Sequence, residues 1–154
     1  MRVGWGVLVV AAGCDPQPRP IAEALDAACG RHLPKVGGAD DLDLRQVTVT
    51  DAVGRCNDGT PPVAYVRAGT PEHRGDWILT FEGGGYCDGY ESCMERWCGL
   101  GPYDATRMST RFDPPSLRGE GILADRDGNA FAGWNVARLR YCTSDLWVGN
   151  AAEP

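Results

Sequence analysis

Apolar positions along this chain gather in short runs separated by stretches rich in glycine, proline and aspartate. The most continuous run is Trp77-Ile78-Leu79-Thr80-Phe81, apolar or β-branched throughout and without polar alternation. That pattern predicts a strand covered on both faces, as in the parallel sheet of an α/β fold. Gln46–Thr50 alternates and is rich in Val and Thr, and Val63–Arg67 and Asn135–Tyr141 are similarly apolar, giving three further strands. Asn57-Asp58-Gly59-Thr60 between the first two is turn chemistry. Ile21, Leu25 and Cys29 recur every four residues, predicting an amphipathic helix over Ile21–Leu33 that Gly30 interrupts near its end. A helical turn is expected at Glu91–Trp97, with Ser92 or Asp88 to cap it and its N-terminus facing Gly83–Gly85. Leu100–Glu120 reads as a long excursion over the side of the sheet where Gly83–Gly85 lie.

Ahead of the first strand the pattern changes. Arg2 precedes an apolar run, Val3–Ala12, that is too short to span a bilayer and ends in Ala11-Ala12-Gly13-Cys14. Small residues before a cysteine resemble a bacterial lipoprotein signal, with Cys14 as the lipidated residue and a lipid anchor to a bacterial membrane. An ordinary signal peptide or a buried strand is the alternative. Asp15–Pro20 reads as a tether, and Pro34–Asp43 as a polar surface loop. The organisation expected is therefore a signal over 1–14, tether, helix and loop over 15–43, and a folded domain over 44–154.

Composition narrows the function. The formal net charge of −6 and pI near 4.8 argue against nucleic acid or an anionic membrane surface as partner. Seven cysteines without a Cys-x-x-Cys pair, and with neither His32 nor His73 beside a cysteine pair, argue against zinc and for a disulfide framework in an oxidising compartment. Setting Cys14 aside leaves an even number. Asp40, Asp41 and Asp43 read as a solvated acidic turn, and Asp125–Asn129 as a plain turn, so no metal is expected. His73 reads as an exposed loop histidine. Arg107, Arg111 and Arg118 either face an acidic polysaccharide or are simply solvated.

The run Trp77–Phe81 passes through Glu82 straight into Gly83, Gly84 and Gly85. Glycines at the end of a buried strand let backbone N–H groups approach a reacting atom. A phosphate cradle lacks its Lys-Ser/Thr here, which leaves an oxyanion hole or an ordinary tight turn. The flanks add order: Cys56-Asn57-Asp58-Gly59-Thr60, then Phe81 to Cys87, Ser92-Cys93, Gly121-Ile122-Leu123, Trp134-Asn135 and Tyr141-Cys142-Thr143-Ser144-Asp145. Together these resemble the amino-terminal half of the pectin acetylesterase/Notum family of serine esterases, over roughly residues 45–150.

The resemblance implies a partial α/β-hydrolase fold (first strands, oxyanion loop and the strand at Asn135–Tyr141) with an incomplete sheet. It implies ester hydrolysis by a Ser-His-Asp triad without a cofactor, with O-acetylated polysaccharide as the expected substrate, in a secreted or cell-envelope protein. The N–H groups of Gly84 and Gly85 take the oxyanion-hole role, and Tyr86 and Asp145 are candidates for touching substrate. The animal branch, which removes a fatty acyl ester from secreted signalling proteins, carries Trp where this chain has Gly85, so the entrance here is expected to be more open. The resemblance also supports disulfides Cys87–Cys93 and Cys56–Cys142, leaving Cys29 and Cys98. Glu82 is expected to hold the loop by accepting backbone N–H bonds. No serine stands in Gly-x-Ser-x-Gly, so the chain is expected to be the front of a longer protein, inactive alone, with an apolar edge at Trp77–Phe81. The competing reading is a disulfide-stapled surface lipoprotein that binds carbohydrate through Trp97, Trp134, Trp147 and the tyrosines without catalysis.

Overall fold

The computed structural model describes residues 21–30, 42–50, 54–100 and 105–148, and the expected signal, Cys14, tether and most of the acidic loop lie outside them. Strands β1 (Leu44–Thr48), β2 (Val63–Arg67), β3 (Trp77–Phe81), β4 (Ser116–Leu117) and β5 (Asn135–Leu139) form one open sheet in the order β3-β5-β2-β1-β4. Helix α1 (Ile21–Cys29) precedes the sheet and α2 (Tyr90–Trp97) follows β3. This is a mixed sheet consistent with a partial α/β fold: β3 and β5 are parallel, and the other pairs are antiparallel. The two-residue β4 lies within the stretch expected to be an irregular excursion, where Ser116 and Leu117 pair with Arg45 and Leu44. Gly30, at φ +64°, follows α1 directly.

Register assigns the sheet two unlike faces. Leu44, Val63, Tyr65, Ile78 and Val136 share one face and form the main core, joined by Leu123. Tyr65 is buried yet keeps its hydroxyl satisfied, donating to the Pro114 carbonyl at 2.7 Å. Burial, with the Asp113 charge nearby, pushes that phenol up to about 12. The opposite face carries Val47, Ala64, Val66, Ala137, Leu139, Leu79 and Phe81. Val47, Trp77, Leu79 and Phe81 are exposed, Leu79 and Phe81 at 60% each. The expectation that Trp77–Phe81 is covered on both faces is therefore corrected, since only Ile78 is buried. β3 is the outer strand of the sheet beside β5.

A second core cluster of Trp97, Met108 and Phe112 packs with Leu25 and Cys29 of α1 and with Cys87 and Cys93. Trp97 is 1% exposed, which removes it from any carbohydrate-binding surface. Three disulfides staple the fold: Cys29–Cys98, Cys56–Cys142 and Cys87–Cys93. The set suits an oxidising, extracellular setting.

The disulfides differ in the chain they close. Cys56–Cys142 spans 86 residues and Cys87–Cys93 only 6. The chain-entropy relation gives about 4.6 kcal/mol for the first and about 2 kcal/mol for the second. Removing each by double alanine substitution is expected to lower urea-unfolding stability in that order. The bare face predicts self-association at micromolar concentration, seen by light scattering. Leu79→Ser is expected to reduce it while changing stability by no more than about 1 kcal/mol.

Candidate active site

Because β3 and β5 run parallel, their carboxyl ends emerge side by side, with Phe81 opposite Leu139. The Glu82 N–H donates to the Leu139 carbonyl at 3.1 Å, extending the ladder by one residue before the glycines. Beyond it, residues 83–87 and 141–147 face each other. Tyr86 and Asp145, distant in sequence, are brought together as an antiparallel bridge, and the Cys87 N–H donates to the Ser144 carbonyl at 3.2 Å. Open α/β sheets place ligands at such strand ends.

Gly83 is exposed and Gly84 and Gly85 are half-buried. Among the described residues, no hydrogen bond uses the N–H of Gly83, Gly84 or Gly85. The neighbouring carbonyls are occupied instead. Trp147 Nε1 donates to the Glu82 carbonyl at 3.1 Å, Arg96 Nη2 to that of Gly84, and the Tyr141 hydroxyl to that of Gly85 at 2.5 Å. Gly84 is required sterically: a Cβ there would lie 2.3 Å from Tyr141 Cδ1. Gly85 adopts φ +74°, a conformation that disfavours any side chain. Ser144, Leu146 and Trp147 also have positive φ. Such strain costs about 1–2 kcal/mol per non-glycine residue and persists only where surroundings impose it.

Asp145 Oδ1 accepts the Thr143 hydroxyl and the Trp147 N–H, the latter at 3.0 Å, so this carboxylate shapes its own turn. Tyr86 is 61% exposed beside it. The described contact from α2 to the glycine loop comes from Arg96 in the helix's last turn. At the helix start, Ser92 Oγ accepts the N–H groups of Asp88 and Gly89, at 3.1 and 3.2 Å.

Glu82 is anchored differently from the expectation. Its carboxylate pairs with Arg107, Arg138 and Arg140, and among the described residues one backbone N–H, that of Tyr141 at 3.3 Å, reaches it. Arg140 also binds Asp113 at 2.7 Å and donates to the Thr106 carbonyl at 2.7 Å. Burial by itself would raise the Glu82 pKa, but the charges and hydrogen bonds of Arg140 and Arg107 overcome it and hold the carboxyl at about 2. Burial pushes Asp113 the other way, above the ordinary range, against the pull of Arg140. Three guanidiniums facing two carboxylates leave this cluster with an excess positive charge below the loop.

The cluster was legible in part. Arg138 of β5 and Arg140, the residue that follows its end and still pairs with Val63, stand two apart in extended chain, hence on one face, and Glu82 continues the matching face of β3. Nothing local marks Arg96, Arg107 or Trp147. Arg107 is committed to Glu82. Arg111 is committed to Asp26 at 2.8 Å, with its guanidinium over the rings of Trp97 and Phe112. Arg118 lines an open cavity of about 700 Å³ with Asp43, Glu120 and Asp125, which holds none of the expected site residues. His73 pairs with Asp76 at 2.8 Å in a surface turn.

Residues 39–154 match the profile of the family described as Pectinacetylesterase. The chain belongs to this family. The matched span contains all five described strands, the glycine loop and the arginine cluster. This pectinacetylesterase-family chain is 34% identical over 115 residues to human "Palmitoleoyl-protein carboxylesterase NOTUM", covering 72% of this chain and 22% of that protein. It is 37% identical over 137 residues to "Palmitoleoyl-protein carboxylesterase notum1'" of Xenopus laevis, covering 86% and 25% respectively. It is 34% identical over 102 residues to "Inactive palmitoleoyl-protein carboxylesterase notum1b" of Danio rerio, covering 64% and 68%. The chain thus spans a quarter or less of the length of the human and frog relatives.

The anchoring of Glu82 has a pH signature. Its pKa falls from 4.5 to about 2 on folding. Stability from this group is therefore present above pH 4.5 and is lost as pH falls through about 2, about 3 kcal/mol in all. Glu82→Gln is expected to lower stability at pH 7 by that order, with the gap to wild type closing toward pH 2 in urea melts. A pH-independent gap would show that packing, and not charge, is what Glu82 supplies.

Proposed function

We propose that this chain carries the oxyanion-binding part of a serine-dependent carboxylic ester hydrolase that removes O-acetyl groups from polysaccharide. One observation carries the reading: among the described residues, consecutive glycine N–H groups at the carboxyl end of β3 have no acceptor, while the carbonyls of Glu82, Gly84 and Gly85 are held. Donors arranged in advance, at a site underlain by excess positive charge, suit a developing negative charge on a carbonyl oxygen.

In this mechanism a serine, activated by a histidine, attacks the ester carbonyl carbon. The carbonyl oxygen gains the negative charge and accepts hydrogen bonds from the N–H groups of Gly84 and Gly85. Collapse expels the sugar hydroxyl, and water then releases the acyl group by the same route. The nucleophile, histidine and acid are assigned to sequence beyond residues 1–154, which contain no Gly-x-Ser-x-Gly. Gly85 leaves the entrance open beside Tyr86 and Asp145, which suits a short acyl group on a bulky sugar. The relatives named as palmitoleoyl-protein esterases make a long acyl chain the alternative substrate. A signal over residues 1–14, with Cys14 lipidated, would hold the enzyme at the outer face of a bacterial membrane. The carbohydrate-binding reading loses support because Trp97 is buried.

The test is acetate release from acetylated pectin by the protein translated from the complete open reading frame containing this chain. Release is expected, and a serine-directed fluorophosphonate is expected to abolish it. Gly84→Val is expected to lower kcat by about a hundredfold, the scale of losing one oxyanion donor. A protein that cleaves neither acetylated pectin nor p-nitrophenyl acetate would overturn the reading.

A further inference from the structure

We propose that Arg96 and Tyr141 are positioning residues for ester hydrolysis: by gripping the Gly84 and Gly85 carbonyls, they set the direction of the N–H groups of Gly85 and Tyr86. The inference rests on the esterase reading above and deepens it. A trans peptide points its N–H opposite to its C=O. The Gly84 carbonyl shares a peptide plane with the Gly85 N–H, and the Gly85 carbonyl shares one with the Tyr86 N–H. Arg96 therefore fixes the first plane and the Tyr141 hydroxyl the second.

Such grips are needed because a glycine run has little torsional preference of its own and flips its peptide planes readily. An oxyanion hole lowers a barrier only when its donors are aimed before the charge develops. Both gripping groups are themselves immobilised. Arg96 is 4% exposed in α2, next to buried Trp97 and two residues before the Cys29–Cys98 disulfide. Tyr141 is 1% exposed, and its ring lies where a Gly84 side chain would otherwise project. Its hydroxyl oxygen accepts the Leu146 N–H at 2.8 Å, so the single phenolic proton is directed at Gly85. The Gly83 carbonyl has no hydrogen bond among the described residues, so the Gly84 N–H is not set in this way. The donors whose planes are held in this way are those of Gly85 and Tyr86, and that of Gly83 through the Trp147 bond to the Glu82 carbonyl.

The test uses the complete protein with p-nitrophenyl acetate as probe, and compares wild type with Tyr141→Phe, Arg96→Met and Arg96→Lys. Tyr141→Phe keeps the ring packed on Gly84 and removes only the hydroxyl. The expected result is a fall in kcat of about ten- to a hundredfold for Tyr141→Phe and Arg96→Met, with KM nearly unchanged. Arg96→Lys is expected to recover part of the loss. Thermal melts identify any variant that has not folded, and the folded variants then decide. Wild-type turnover in all folded variants would overturn the positioning role and leave the esterase reading standing. A raised KM with unchanged kcat would overturn it too, by placing these residues in substrate binding. A wild-type protein without esterase activity would overturn both.

Discussion

The structure turns on one buried carboxylate. Glu82 sits between the last residue of β3 and a run of three glycines, where the chain passes from a paired strand to a segment with no side chains to hold it. Its ion pairs to Arg107, Arg138 and Arg140 tie that junction to β5 and to the loop after α2. Burying a carboxylate is expensive unless charged hydrogen-bond donors surround it, and here they do. The junction is therefore rigid where the sequence by itself would make it most mobile.

That rigidity is passed on through carbonyls. Trp147, Arg96 and Tyr141 each donate to one carbonyl in residues 82–85, Arg96 from α2 and the other two from the segment that follows β5. The opposing 144–147 segment holds three non-glycine residues at positive φ, a local cost offset by the Tyr86–Asp145 bridge and by the Phe81–Trp147 and Tyr141–Trp147 ring contacts. Backbone donors left over from such an arrangement are directional without any side chain of their own. This arrangement is what separates a reactive glycine loop from an ordinary turn of the same composition.

The bare face of the sheet is the second consequence. β2, β3 and β5 are apolar on both sides, yet within the described residues only the face holding Leu44, Tyr65 and Val136 is packed into the core. An apolar face of this extent is a feature of surfaces that take a further covering layer.

The sequence alone determined the strands at Val63–Arg67 and Trp77–Phe81 to the residue, because short runs rich in β-branched and aromatic residues, opening after Pro62 and after Asp76, leave few alternatives. It also determined the family, because an ordered set of short motifs is far more specific than any one of them. Three matters were left to the tertiary structure: which face of β3 is covered, which groups hold Glu82, and which carbonyls are gripped. Periodicity reports that a residue is apolar but not whether a neighbour exists to cover it. An arginine in a helix or loop likewise carries no local record of the distant oxygen it will meet. Arg96 and Gly84 are 12 residues apart, and Tyr141 and Gly85 are 56. Only the packing of β3 against β5 brings the second pair within a hydrogen bond of each other.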